Sequence, residues 1–276
     1  MQLPRLLLLA GVAVIGACSL STDLPTSRPL GIVVLTDTVD AGSNTVLAPV
    51  AHFFNGSGVQ VPDSRIVADS CLVIPYLADT GAFPYSLFAP LNAGDSVIVQ
   101  TGGNTVSLFP EIDPQSQAQT GLYDLKAGAA PLPFTAGQPV SVTVPGATGS
   151  GSFPSAAVSA GTAAPYTVNP ISRSPAPDSF NITWQPASGT GSAVVFAIAF
   201  DTAATTTGNP IHLELYCSAI DDGLLTVPQA DARIWNEALA GPRNMRSYRW
   251  QTTTQNNGAA GLIIISQHNE YATDAP

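Results

Sequence analysis

The sequence predicts an all-β protein: two antiparallel β-sandwiches in tandem, with one short helix near residues 229–240. Three observations predict it. Short runs rich in Val, Ile, Leu, Phe and Tyr recur along the chain, each bounded by Gly, Pro, Asn, Asp or Ser. Charged residues make up only 10% of the chain, while Gly and Pro number 24 each, a composition that suits short strands and frequent turns. Hydrophobic residues reach 45%, whereas a disordered chain needs low hydrophobicity and high net charge. A length of 276 residues accommodates one large or two ordinary domains.

The N-terminus comes first. Met1 to Arg5 carries one positive charge, and Leu6 to Ala17 is unbroken apolar sequence. That run is shorter than the roughly 20 residues a membrane-spanning helix needs, and it has the pattern of a secretory signal peptide over 1–17. Its end, Ile15-Gly16-Ala17-Cys18, resembles the lipobox of bacterial lipoproteins. The resemblance implies diacylglycerol on the Cys18 thiol, cleavage before Cys18 and acylation of the new amino terminus. It therefore implies a lipid-anchored protein of the bacterial cell envelope, with the membrane as a partner. Ser19 follows the cysteine, where lipoproteins retained in the inner membrane usually carry Asp; this favours an outer membrane where one exists. Each buried CH₂ contributes about 0.8 kcal/mol, so several acyl chains hold a protein durably. An ordinary signal peptide with an incidental cysteine is the alternative. Residues 18–29, polar and with two prolines, read as a tether.

The N-terminal sandwich is expected over 30–170, with strands at 31–35, 51–54, 71–75, 95–100, 105–109, 121–125, 140–144 and 166–168. Between two alternating runs, Gly102-Gly103-Asn104 supplies the positive-φ residues of a tight hairpin. Residues 145–165, rich in Gly, Ser and Ala, read as a long loop or a weakly ordered edge. The domain boundary is placed just beyond, near 169–174. The C-terminal sandwich, 171–276, has expected strands at 179–184, 193–200, 211–219, 224–227, 247–252 and 261–266. Asp221-Asp222-Gly223 reads as a hairpin turn. Within 229–241, Ala232, Trp235 and Leu239 recur at helical spacing, and Gly241-Pro242 stops the helix.

Phe180-Asn181-Ile182-Thr183-Trp184-Gln185-Pro186 resembles strand B of fibronectin type III and related immunoglobulin-like domains, where a tryptophan faces the core and a proline follows. The resemblance implies an immunoglobulin-like sandwich with 193–200 as the next strand. The segment from Cys217 to Pro228 is also similar to one in uncharacterised bacterial envelope proteins with tandem immunoglobulin-like domains, which carry no settled activity.

With Cys18 assigned to lipid, Cys71 and Cys217 remain as an even pair in an oxidising compartment. Ile211, Leu213, Leu215 and Cys217 share one strand parity, which points the Cys217 sulfur inward. A disulfide is expected, and closing so long a loop contributes about 5 kcal/mol in the chain-entropy account. Two buried thiols acting as small hydrophobes are the alternative.

The net charge of −10 and a single lysine, Lys126, argue against nucleic acid as a partner. His212 and Glu214 share a strand parity but have no third ligand nearby, so no metal site is expected. Neither a phosphate loop nor a Gly-x-Ser-x-Gly elbow is present, and no catalytic residue or cofactor is assigned. One asymmetry remains. Arg233, Arg243, Arg246 and Arg249 interleave with Trp235, Tyr248 and Trp250. Arginine with Trp and Tyr is the mix found at binding hot spots, which makes these seven residues the candidate face for a protein or carbohydrate ligand. Alternatively, the arginine stems cover aromatic core edges. The expected function is non-enzymatic binding, adhesion or envelope architecture. An envelope hydrolase with a loop-built site and an accessory subunit of an envelope assembly are the rivals.

Overall fold

A computed structural model describes residues 28–39, 45–56, 69–75, 89–170, 179–187, 192–201, 212–236, 244–256 and 260–273. The expected signal peptide, Cys18 and most of the expected tether lie outside these residues, as does Arg243.

The chain is almost wholly β. In order the strands are β1 (Pro29–Val39), β2 (Thr45–Asn55), β3 (Ser70–Pro75), β4 (Val97–Thr101), β5 (Asn104–Ile112), β6 (Gln119–Leu125), β7 (Leu132–Pro133), β8 (Val140–Val144), β9 (Ala156–Ala160), β10 (Phe180–Thr183), β11 (Ser192–Asp201), β12 (His212–Ile220), β13 (Leu224–Val227), β14 (Asn244–Asn256) and β15 (Gly261–Thr273). The helix α1 (Gln229–Asn236) forms in the first part of the expected span, with Asp231 in its first turn; Leu239 and the expected stop at Gly241-Pro242 lie outside the described residues.

Thirteen strands join in one sheet of order β3-β12-β11-β14-β15-β1-β2-β6-β5-β4-β8-β9, with β7 on β2; β10 and β13 form a separate pair. The sheet runs through both halves of the chain. Near its middle, the ladder between β1 and β15 is parallel, so the expectation of wholly antiparallel sheets is corrected there. The residues explain the position. In β1, Ile32, Val33, Val34 and Leu35 are all buried, as are Leu262 to Ile265 in β15. Continuous apolar runs of this kind belong to strands covered on both faces. In β4, by contrast, Val97 and Val99 are fully buried while Ile98 between them is 37% exposed, the alternation of a strand with one wet face.

Two cores form on one face of the sheet. The first gathers Val33, Leu35, Leu47, Phe53, Val97, Leu108, Tyr123, Val142 and Phe153 with Leu262 and Ile264 of the last strand. Tyr123 anchors it to a loop: its hydroxyl accepts from Ala93 N at 2.8 Å and donates to Gly94 O at 2.9 Å. The second core packs β10 and β13 over β11 and β12, through Phe180, Ile182, Trp184, Val194, Phe196, Leu215, Cys217, Leu225 and Val227. Trp184 faces inward as expected and lies 5.2 Å from Phe196 between ring centroids.

Several local expectations are refined. β4 and β5 form the expected hairpin, but Gly102 (φ 53°) and Gly103 (φ 85°) alone make the turn, because Asn104 already pairs with Thr101. Residues 145–165 contain β9, the free edge of the sheet, which pairs with β8 from Val140–Ala160 to Val144–Ala156. Its Ala and Ser residues lack the β-branched signal that marks the other strands. The 166–168 run makes only an isolated bridge, Val168 to Trp184, although Tyr166 and Val168 are buried. The Asp221-Asp222-Gly223 turn is not a hairpin. β13 leaves the large sheet and pairs with β10, so this turn carries the chain from one layer to the other.

Candidate functional site

Alternation along β14 decides where the arginine and aromatic residues go. Successive side chains of a strand point to opposite faces. Arg249 therefore faces the second core, while Arg246, Tyr248 and Trp250 share a parity and face the other way. Arg249 is 1% exposed and Trp250 7% exposed, so neither belongs to an open surface. Arg233 and Trp235 lie on α1, and their side chains are outside the described residues. The structure thus divides the expected face rather than assembling it, because consecutive strand positions cannot share one side of a sheet.

Arg249 is held by an ion pair and by backbone carbonyls. Its Nη2 donates to Asp221 Oδ1 at 3.0 Å, and its Nε lies 2.8 Å from Asp221 Oδ2, an ion-pair contact without hydrogen-bond alignment. Nη1 donates to the carbonyls of Ala164 at 3.2 Å and Pro165 at 3.1 Å, and Nη2 also donates to the carbonyl of Gln185. The guanidinium stacks 4.4 Å from the Tyr166 ring centroid. Asp221 further accepts from Trp184 Nε1 at 2.8 Å. The pair therefore ties β14 to the β12–β13 turn, the end of β10 and the 164–166 segment.

Sequence reasoning passed over Asp221 as a turn residue. The available signal was parity. In "SYRWQT", either Arg249 or its aromatic neighbours must face inward, and an inward arginine requires an acid.

A second carboxylate pairing lies beside the first. Asp37 of β1 is buried, and its Oδ2 contacts His268 Nδ1. Asn269 N donates to Asp37 Oδ1 at 3.3 Å. The His268 ring stands edge-on to Tyr166 at 5.9 Å between centroids.

The opposite face of the sheet has another character. Leu30, Ile32, Val34, Phe54, Val195, Trp250, Ile263 and Ile265 form an apolar cluster there, with Tyr216 and Tyr248 packed against it. The register carries this face outward: Leu72 lies opposite Tyr216, Tyr216 opposite Ala197, and Ala197 opposite Arg246. Cross-strand partners project to the same side. Leu72 is 41% exposed, and Tyr216, Arg246 and Tyr248 are half-buried. His52 is buried on this face, with its ring centroid 4.9 Å from that of Phe54. Burial lowers its pKa to about 4, partly offset by a hydrogen bond to the Thr120 backbone.

Cys71 and Cys217 are disulfide-bonded and sit directly opposite in the β3–β12 register. Of the residues in the parity argument, Leu215 and Cys217 are fully buried, as is Ala219 two positions on; Ile211 and the Leu213 side chain lie outside the described residues. His212 and Glu214 fall in β12, and their side chains are outside the described residues. Among the described residues, no group of three or more His, Cys, Asp or Glu is placed to hold a metal ion.

Compared with known proteins, the chain matches no family model and no curated sequence.

Proposed function

We propose that this is a lipid-anchored protein of the bacterial cell envelope that acts without catalysis, contacting a protein or carbohydrate ligand through Leu72, Tyr216, Arg246 and Tyr248. One observation carries the binding reading: exposed Leu72 continues, across the strand register, into two half-buried tyrosines and an arginine on one sheet face. Aromatic and arginine side chains combine apolar area with directional polar contacts, and they dominate binding energetics at interfaces. The anchor rests on the lipobox at Ile15 to Cys18, and Ser19 favours the outer membrane where there is one.

We assign the second half an immunoglobulin-like sandwich. The order β12-β11-β14-β15 on one side, with β10 and β13 paired on the other, supports it. The boundary between halves falls near 169–174 in this reading, and strands β1 and β3 reach across it.

Two measurements test the reading. Membrane fractionation of the wild type and of Cys18→Ser tests the anchor. The wild type should sediment with membranes and the variant should become soluble; a variant that remains wholly membrane-bound overturns anchoring. Binding of the soluble Cys18→Ser protein to detergent-extracted envelopes tests the face. Adding Arg246→Ala and Tyr248→Ala should weaken retention about tenfold or more. Unchanged retention removes this face from the proposal.

The Asp37–His268 pair favours a second reading, an envelope hydrolase, since a carboxylate on Nδ1 is how an imidazole base is oriented. Turnover of ester, amide or glycoside substrates that His268→Gln abolishes would replace the binding reading with this one.

A further inference from the structure

The first and last described strands lie side by side and run the same way. β1 pairs in parallel with β15 from Leu30–Gly261 to Thr36–Gln267, and in antiparallel with β2 from Pro29–Asn55 to Val39–Thr45. The start of β1, where the expected tether joins it, and the end of β15 therefore sit at opposite ends of the sheet. The register places the row Leu72, Tyr216 and Arg246 at the end away from the tether. Arg246 lies opposite Tyr271, whereas Asn256, opposite Gly261, is level with Leu30. From 246 to 256 the strand advances about 30 Å. A pull between the tether and this row, or between the tether and the end of β15, acts along β1 and not across it.

Three features resist such a pull. Cross-strand hydrogen bonds lie across the strand axis, so a lengthwise load is shared by both ladders of β1 at once, while a crosswise load opens them one pair at a time. Slippage by one residue would exchange the faces of Ile32 and Val34, packed with Trp250, and of Val33 and Leu35, packed in the first core. Slippage by two toward the tether would bring Val33 to the level of Gly31. There is no room for it: a Cβ at Gly31 would already stand 2.7 Å from Phe53 Cε1 and 2.9 Å from Leu262 Cδ1. The Phe53 ring is fully buried, its centroid 5.3 Å from that of Tyr123 and 4.8 Å from that of Phe153, so close packing leaves it nowhere to swing. Asp37, held by His268 and by Asn269 N, extends the grip one residue beyond the parallel ladder.

We propose that β1 is a mechanical clamp: tension between the tether and a ligand on the distal row is borne along β1 in shear, and the protein stays folded under a load that would open it if applied across the sheet. The source of the load rests on the reading of Cys18 as the anchor and of this row as the ligand face. The clamp itself is a property of β1 and its two neighbours. Resistance of this kind is set by the unfolding rate under force, which is separate from equilibrium stability.

The test is single-molecule extension of the full chain carrying Cys18→Ser. In one form, attachment tags sit within 19–27 and after Pro276, so that force runs along β1 against β15. In the other they sit in the connection 40–44 and after Pro276, so that force opens the same ladder from one end. With the two forms matched in urea midpoint, the lengthwise form should unfold at about twofold the force of the other or more. Phe53→Leu, which vacates part of the space beside Gly31, should lower the lengthwise force toward the crosswise one. Equal forces in the two directions overturn the proposal, as does a Phe53→Leu variant that lowers both forces alike. Failure of the anchor reading shows separately: a direction-dependent protein whose wild type does not sediment with membranes keeps the clamp and removes the tether as its source of load.

Discussion

Arg249 and His268 face each other across the β14–β15 ladder, and each is held by a different carboxylate. Arg249 pairs with Asp221 from the turn after β12, and His268 pairs with Asp37 from the first strand. Tyr166 contacts both, stacked under the guanidinium and edge-on to the imidazole. Together with the parallel β1–β15 ladder, these contacts join the start of the described chain to its end.

The Arg249–Asp221 pair should be costly to halve. Both side chains are 2% exposed, so Arg249→Met leaves a buried carboxylate without its cation. Removing one partner of a buried pair typically costs about 3 to 5 kcal/mol. Urea unfolding should show a loss of this size for Arg249→Met and for Asp221→Ala, and for the double variant a loss well below the sum of the two. Additive losses would mean that the two residues do not act as a unit.

Stability should fall with acid because of His52. Its folded pKa is depressed to about 4, against 6.5 when unfolded. Between those values the unfolded chain holds a proton that the native state lacks, so stability rises with pH across the window. The His52 contribution is fully present above about pH 6.5 and is lost progressively as pH falls through about 4. At one pKa unit per 1.36 kcal/mol, the full effect is about 3 kcal/mol. Denaturant midpoints measured from pH 7 to pH 3.5 should show the slope, and His52→Gln should flatten it. An equal slope in the variant would place the acid sensitivity elsewhere.

Two glycines of similar backbone conformation should differ in their tolerance of alanine. Gly103 has φ +85° with nothing within 4 Å of an added Cβ, so Gly103→Ala should cost about 1 to 2 kcal/mol through conformation alone. Gly121 has φ +79°, and its Cβ would stand 2.4 Å from the Phe53 carbonyl oxygen. Backbone must move there, so Gly121→Ala should cost about 3 kcal/mol or more. Thermal unfolding of both variants ranks them; equal Tm values would show that the β2–β6 approach is looser than this geometry.

Part of the candidate site was legible in the residues. Arg246 and Tyr248 stand two positions apart on one strand, and the structure keeps them on one face. Arg249 and Trp250 were grouped with them by composition, yet Arg249 faces the opposite side and Trp250 is buried among Val195, Ile263 and Ile265. Leu72 and Tyr216 joined the face only through strand pairing, since neither is near Arg246 in the chain. Asp221 was hidden for a similar reason. A carboxylate in an Asp-Asp-Gly turn looks the same whether it meets water or a buried guanidinium.

By itself the sequence determined the all-β class, the run-by-run placement of nearly every long strand, the glycine turn at 102–103, the short helix and the inward sulfur of Cys217. These features depend on contacts within a few residues: period-two alternation, positive-φ turn chemistry and helical spacing are written locally. The tertiary structure decided which strands meet. The parallel match of β1 with β15, the docking of β3 beside β12, the edge position of β9 and the Asp221–Arg249 pair all required it. Ladder hydrogen bonds join backbone groups that every residue except proline carries alike, so side-chain identity names a strand but not its neighbour. Alternation likewise shows that a strand has two faces, and only packing determines which of them turns to the core.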